Sequence, residues 1–420
     1  MRLNKEMSKS KLLLLGLQHA FTMFGATVLV PYLTGVPVNV ALFTAGVGTI
    51  IFHIMTKFKV PVFLGSSFAY IAPINAVILY YANATQHGSV PAALQAGVAI
   101  NSEMIAYAMG GIVIAGIVQA LIALLIHYIG VEKIKEYFPP VVTGSIIAVI
   151  GLSLAPTAIS MASSNWLIAI VSLAVAVVVR LYTKGFFSML PVITGIAAGY
   201  VLAAVTGNVS FAAVSEASWL GIPGFIIPKF SLYSLMVIVP VALAPTLEHF
   251  GDIFAVSAIT KQKFYEDPGI HRTLAGDGIA TAIAGMLGGP ANTTYSENTG
   301  VLALTGVFNP VVMRIAAIFA IVLSFVPKVG AFIQSIPISV MGGIEILLFG
   351  MIAAVGISTF VRNKVEIEGK NLIIVSVMLV LGIGGASLGL GVVTFQGIGL
   401  AALVGIILNA IFRWTKAKET

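Results

Sequence analysis

The sequence predicts an all-α polytopic membrane protein whose fourteen transmembrane segments form two inverted seven-span repeats. Three observations carry that expectation. Of the 420 residues, 59% are hydrophobic and only 9% charged, whereas about a quarter of the residues of a soluble domain are charged. The basic residues fall almost wholly on one side of a fourteen-span topology. Short motifs also recur: Leu17-Gln18-His19 returns as Leu247-Glu248-His249, and Ser66-Ser67-Phe68-Ala69 as Thr293-Thr294-Tyr295-Ser296, at separations of 49 and 46 residues. A membrane-embedded chain that repeats itself in this way reads as a secondary transporter, because duplicated halves place a substrate site at their interface.

In chain order, apolar stretches able to cross ~30 Å of hydrocarbon as helices occupy 12–34, 38–56, 61–81, 104–129, 138–160, 165–182 and 186–206 in the first half. In the second half they occupy 232–256, 272–289, 309–333, 337–360, 371–389 and 394–412, and the short, polar region 290–306 supplies the remaining crossing. The first run is too long for a signal peptide and lacks a small-residue cleavage site, so it reads as a retained span. With both termini cytoplasmic, twenty of the 22 Lys and Arg face the cytoplasm and only Lys229 and Lys328 lie outside, as the positive-inside rule requires of a multi-pass protein of the cytoplasmic membrane. The net charge of +7 is therefore a topology signal and not a nucleic-acid patch. The chain has no Cys, which excludes disulfides and thiolate metal sites.

The expected organisation is a first repeat over 1–206, an extracellular connection over 207–230 and a second repeat over 231–420. Seven is odd, so the second copy is inverted. A weaker third correspondence sets Pro139 and Gly144 against Pro337 and Gly342. Spans 3 and 10 are unusual. GSSFAYIAP and GGPANTTYSENTG open on Gly, small hydroxyl residues and Pro, a poor composition for a regular helix. Non-helical backbone at membrane depth is tolerated only where it is buried in protein or lines a cavity. Residues 66–70 and 293–297 are thus expected to be short extended segments, pairing across the pseudo-two-fold and each followed by a half-helix whose N-terminus faces the site.

Of fifteen Asp and Glu, five fall within apolar stretches: Glu248, Asp252, Asp277, Glu297 and Glu345. A charge at mid-membrane costs about 2.5 to 3.5 kcal/mol, so each needs a partner, a proton or a function. Glu248 and Asp252 are four apart on one helix face, where two carboxylates repel and one of them holds a proton; alternatively, Asp252 is a solvated or capping residue at the cytoplasmic end of its span. Glu297, opposite Phe68 by the repeat, suits a polar group reading a planar ligand beside an aromatic face. His19 corresponds to His249 and reads either as an inter-helix hydrogen-bonder or as a proton carrier. Asp277 reads as a residue capping or lining a helix near the cytoplasmic side, and Glu345 has no assigned role. The absence of GxxxxGKS and HExxH argues against ATP-driven pumping and zinc proteolysis.

The strings QHAFTMFGATVLVP, GSSFAYIAP, LEHFGD, DPGIHRTLAGDG, NTTYSENTGV and IPISVMGG resemble, across essentially the whole chain, the bacterial uracil permeases of the nucleobase/ascorbate transporter (uracil/xanthine permease) family. The resemblance implies a core domain of spans 1–4 and 8–11, a gate domain of spans 5–7 and 12–14, homodimers, and symport of uracil with protons rather than an enzyme activity or a cofactor. It also implies that Phe68 stacks on the base, that Glu248 and Glu297 bind its polar edge, and that Tyr295 and Ser296 lie beside them. Glu248, Asp252, Glu297 and His19 are then the candidates for proton coupling. Ser296 stands where the closest uracil permeases have Gly, Asp252 where some have His and purine transporters have Asp, and Phe349 where a Tyr is usual. A xanthine or urate symporter is the alternative, and an anion exchanger of the same general fold is a further one.

Overall fold

The computed structural model describes residues 8–130, 133, 136–185, 187–390 and 393–419, excepting the side chains of Met189, Ser296, Glu297, Leu304, Leu390, Val393, Thr394 and 415–419. The first half comprises α1 (Lys9–Thr34), α2 (Val38–Met55), β1 (Leu64–Ser66), α3 (Ile71–Tyr81), α4 (Val90–Gln95), α5 (Ser102–Ile129), α6 (Pro140–Ser153), α7 (Ala155–Ser163), α8 (Trp166–Tyr182) and α9 (Pro191–Val205). After the short α10 (Ala212–Glu216), the second half runs through α11 (Leu232–Ile238), α12 (Leu243–Thr260), α13 (Ile270–Met286), β2 (Asn292–Thr294), α14 (Ser296–Thr305), α15 (Val311–Ser324) and α16 (Pro327–Gln334). It closes with α17 (Ile338–Arg362), α18 (Gly369–Ile383), the hairpin β3 (Ser387–Leu390) and β4 (Val393–Gln396), and α19 (Gly397–Glu419). Each of the fourteen apolar stretches therefore holds helix. Among the described residues, seven helical spans are long and apolar enough to cross a membrane, or eight if the bent pair α15 and α16 counts as one. Of the remaining stretches, two are broken by strands and four hold single helices of 15 to 17 residues.

The third correspondence lands at equivalent places, since Pro139 and Pro337 are the residues immediately before α6 and α17. Both broken spans contain a strand, and the strands pair antiparallel with Leu64 opposite Thr294, Gly65 opposite Thr293 and Ser66 opposite Asn292. Extended backbone begins and ends earlier than the composition suggested. Phe68–Tyr70 is a tight helical turn leading into α3, and Ser296 already opens α14. Pro73, the third residue of α3, explains the first shift, because a proline is tolerated in the first turn of a helix, where its missing N–H is unneeded.

A two-stranded ladder inside a membrane exposes polar backbone on both outer edges, and each unpaired group there costs several kcal/mol. Two threonines close those edges. Thr49 of α2 accepts from Leu64 N (2.9 Å) and donates to Leu64 O (3.2 Å); Thr281 of α13 accepts from Asn292 N (3.2 Å) and donates to Asn292 O (2.8 Å). Bonds from Ser67 N to Ala291 O (2.8 Å) and from Tyr295 N to Phe63 O (3.0 Å) extend the ladder at its ends.

Helix packing falls into two sets. In one, α5 lies on α13 and α11, α2 on α13 and α15, and α1 on α15. In the other, α17 lies on α6, α7 and α8, α18 on α6 and α19, and α8 on α9. Small residues bring backbones together in each set, as membrane helices require. A Cβ on Gly116 of α5 would stand 2.6 Å from Gly278 O of α13, and one on Gly144 of α6 would stand 2.8 Å from Gly356 O of α17. Fewer elements join the sets: α12 on α6 and α19, α1 on α9, and the Tyr32 hydroxyl of α1, which donates to Ile336 O (2.9 Å) just before α17.

Candidate functional site

The paired strands bring the two broken spans face to face. Phe68 follows β1 and is 6% exposed. Its ring meets Phe349 of α17 edge to face, with centroids 6.1 Å apart and planes at 82°. Phe349 thus closes the far side of the Phe68 ring, across the line where the two helix sets meet. Tyr295, the residue before α14, turns its side chain back onto β1: the hydroxyl donates to Ser66 O (3.1 Å) and lies 3.4 Å from Thr27 Oγ1, and the ring covers Gly65, where a Cβ would come within 2.3 Å of Tyr295 Cζ. Tyr295 is therefore fixed to the ladder by its side chain and offers a ligand mainly the backbone at the start of α14. Ser296 and Glu297 open that helix, and their side chains lie outside the described residues. The start of α14 carries the positive end of a helix dipole, which favours carbonyl or anionic acceptors.

Glu248 and Asp252 share a face of α12, as their spacing predicts. Glu248 is half-buried. Asp252 is buried and accepts from Thr294 Oγ1 at 2.6 Å, so it ties α12 to β2. The reading of Asp252 as a solvated cap fails, because α12 continues to Thr260. Asp277 is likewise no cytoplasmic cap. It is fully buried at mid-helix in α13, accepts from Gln119 Nε2 (2.8 Å) and lies 3.4 Å from His249 Nδ1. His249 Nε2 is 2.9 Å from Thr273 Oγ1, so the ring next to Glu248 is held from two directions by α13. His19 Nδ1 and O are 3.1 and 3.2 Å from Asn298 Nδ2; the amide donates to both and fastens α1 to the helix that carries Glu297.

The residues the sequence did not announce are mostly hydroxyl and amide groups: Thr27, Thr49, Thr273, Thr281, Gln119 and Asn298. Thr49 and Thr281 had a signal, since they are separated by nearly the same interval as the repeated motifs. One further pattern, Gly385-Ala386-Ser387-Leu388-Gly389, has the spacing of a hydrolase nucleophile elbow. Its Ser387 begins β3 of a hairpin rather than a strand-to-helix turn, so it lacks the required context. Among the described residues, no group of three His, Asp or Glu could hold a metal ion.

Comparison with known proteins agrees with this architecture. A family model described as the permease family matches residues 10–390. The chain is 43% identical to a probable uracil permease of Haemophilus influenzae, covering 99% of this chain and 97% of that one. It is 42% identical to the uracil permease of Bacillus subtilis (96% and 93%) and 38% identical to that of Escherichia coli K12 (95% and 90%). In fold it is similar to the transmembrane domain of the cyanobacterial bicarbonate transporter BicA, with a TM-score of 0.63 at 14% identity over 95% of this chain and 96% of that one. It is also similar to the murine anion transporter Slc26a9, with a TM-score of 0.71 at 11% identity over 98% and 69%.

Proposed function

The chain belongs to this permease family, and on that premise we propose that it is a proton-coupled symporter importing uracil across the cytoplasmic membrane by alternating access. What supports the reading is the strand pair, which joins the segment leading to Phe68 to the segment leading into α14, with Asp252 of α12 bonded to Thr294 of the second strand. Uracil is flat and neutral and alternates N–H donors with C=O acceptors. An aromatic face, carboxylates for its N–H groups and helix-terminal amides for its carbonyls would satisfy it. Phe68 is assigned the stacking face, Glu248 and Glu297 the acceptors, and the backbone at Tyr295 and Ser296 the donors. Proton coupling is assigned to Glu248 and Glu297, with Asp252 and His19 beside them. One proton moved down 100 mV supplies about 2.3 kcal/mol, roughly fifty-fold accumulation.

We further propose fourteen crossings in two inverted repeats, with cytoplasmic termini, and a homodimeric assembly in the bilayer. The set built on α1, α2, α5, α11, α13 and α15 is the core, and the set built on α6, α8, α9, α17, α18 and α19 is the gate. Reciprocal packing supports this: α5 on α13 mirrors α15 on α2, α8 on α17 mirrors α18 on α6, and α8 on α9 mirrors α18 on α19. A xanthine or urate symporter is the second reading, favoured by Asp at 252. An anion exchanger is the weaker one, because no Lys or Arg is among the buried side chains of the described residues. Uptake of labelled uracil into proteoliposomes, challenged with unlabelled uracil, xanthine, thymine and urate, tests the assignment. Competition by uracil alone, with uptake rising under an acidic exterior, is the expected result. Competition by xanthine and urate but not uracil would transfer the assignment to purines, and uptake driven by a Na⁺ gradient at constant pH would remove proton coupling.

A further inference from the structure

Glu345 is the intramembrane acid that neither the ladder nor the α12 cluster uses. It is fully buried, and neither carboxyl oxygen has a hydrogen-bond partner among the described residues. It lies four residues before Phe349, so the two share a face of α17, and Phe349 meets Phe68 of the opposite helix set. Just before α17 the Tyr32 hydroxyl of α1 is bonded to Ile336 O (2.9 Å). Glu345 thus lies in the seam between α1 and α17. It sits seven residues into α17, about 10 Å from that end of the helix and about 6 Å nearer to it than Phe349. In the orientation proposed above that end is external, so the seam lies between the site and outside water.

Among the described residues, no Lys or Arg is buried with this carboxyl. Of the elements packed on α17, α6 and α7 carry no titratable side chain. On α8, Arg180 reaches away to Ser188 O (3.4 Å) near Tyr182 at its far end, and on α9 Tyr200 is bonded to Ser335 (2.8 Å). On α1, the Tyr32 hydroxyl is bonded to Ile336 O, and His19 lies several turns away against Asn298. An anion enclosed there without a donor is strongly disfavoured, whereas the neutral acid is tolerated.

We propose that Glu345 is a proton-operated latch of the outer seam: α1 and α17 close over the site only when its carboxyl has taken a proton from the external side, and loss of that proton to external water holds the seam open. The proton stays on the carboxyl while the seam is shut, so closure is linked to external proton concentration. This deepens the proton-coupled reading above and rests on its orientation and two-domain assignment.

The chain has no native Cys, which allows a clean accessibility test. Met341, one turn before Glu345 on the same face and fully buried, is replaced as Met341→Cys in proteoliposomes and reacted with a membrane-impermeant thiol reagent from the external side. Each rate is divided by that of an exposed external cysteine, Ser210→Cys, to remove the thiol's own ionisation. With Glu345 present, the normalised rate should climb about tenfold per pH unit above the ordinary carboxyl range, until the open form dominates. In Glu345→Gln it should stay low and flat, and Glu345→Met, which cannot ionise, should behave alike. An unchanged pH dependence in Glu345→Gln, or a flat rate with Glu345 intact, overturns the latch. Uracil binding, measured in the same samples, reports on the substrate assignment separately, since labelling does not require uracil.

Discussion

Phe68 concentrates the residue-scale argument, because its buried ring meets Phe349 of the opposite helix set edge to face. Stacking of a base on an aromatic ring contributes about 1 to 3 kcal/mol. Phe68→Ala should therefore weaken uracil binding by that amount in titration calorimetry, with Phe68→Tyr and Phe68→Trp retaining part of it. Near-parental affinity in a well-folded Phe68→Ala protein would show that the ring only packs. The acids were legible in the sequence because a carboxylate at membrane depth is expensive and therefore rare. Their partners were not: Thr294, which holds Asp252, and Gln119, which holds Asp277, belong to residue types common in membrane helices, and only the fold shows which of them face an acid. The cap reading, an alternative for Asp252 and one of two for Asp277, fails for the same reason, since sequence depth alone does not reveal a buried donor.

Between elements, the decisive feature is how the strand edges are closed. Thr281→Val keeps the shape of the side chain but leaves both Asn292 N and Asn292 O without that hydroxyl. Each buried group left unpaired costs about 1 to 3 kcal/mol, so a lower midpoint of thermal unfolding in detergent is expected, with Thr281→Ser close to the parent. Thr49→Val should behave in the same way through Leu64. Composition disclosed that spans 3 and 10 are broken, because Gly, Pro and hydroxyl residues cluster there. It did not disclose where each strand ends, which depends on threonines from neighbouring helices and on the position of Pro73. Between the loop after α2 and the loop before α13, Lys59 donates to Asp267 at 2.5 Å and holds its carboxyl below the usual carboxylate range. A group so depressed stabilises the fold above the ordinary carboxyl range, and that contribution is lost as pH falls through the folded value. Asp267→Asn should lower the unfolding midpoint slightly at neutral pH, and the difference from the parent should shrink as pH falls below the ordinary carboxyl range.

For the whole molecule, charge placement was the strongest sequence signal, since a miscounted span would invert every loop after it. Length alone selects fewer, because among the described residues only seven or eight helices satisfy it; strand-broken and polar stretches escape any criterion built on long apolar runs. The three-dimensional pairing of distant elements was visible only through the repeated motifs. Those motifs end in strands that are each incomplete alone, since β1 finds its other edge in the second half of the chain and β2 finds its own in the first. The covalent link over 207–230 is therefore not what holds the halves in register. If the gene were divided at the codon for Gly207, in a loop whose φ of 73° marks a tight surface turn, the two fragments made together in one cell should find each other through this ladder and restore uptake. Either fragment made alone should be degraded, because half of the molecule's central seam would face lipid as bare backbone.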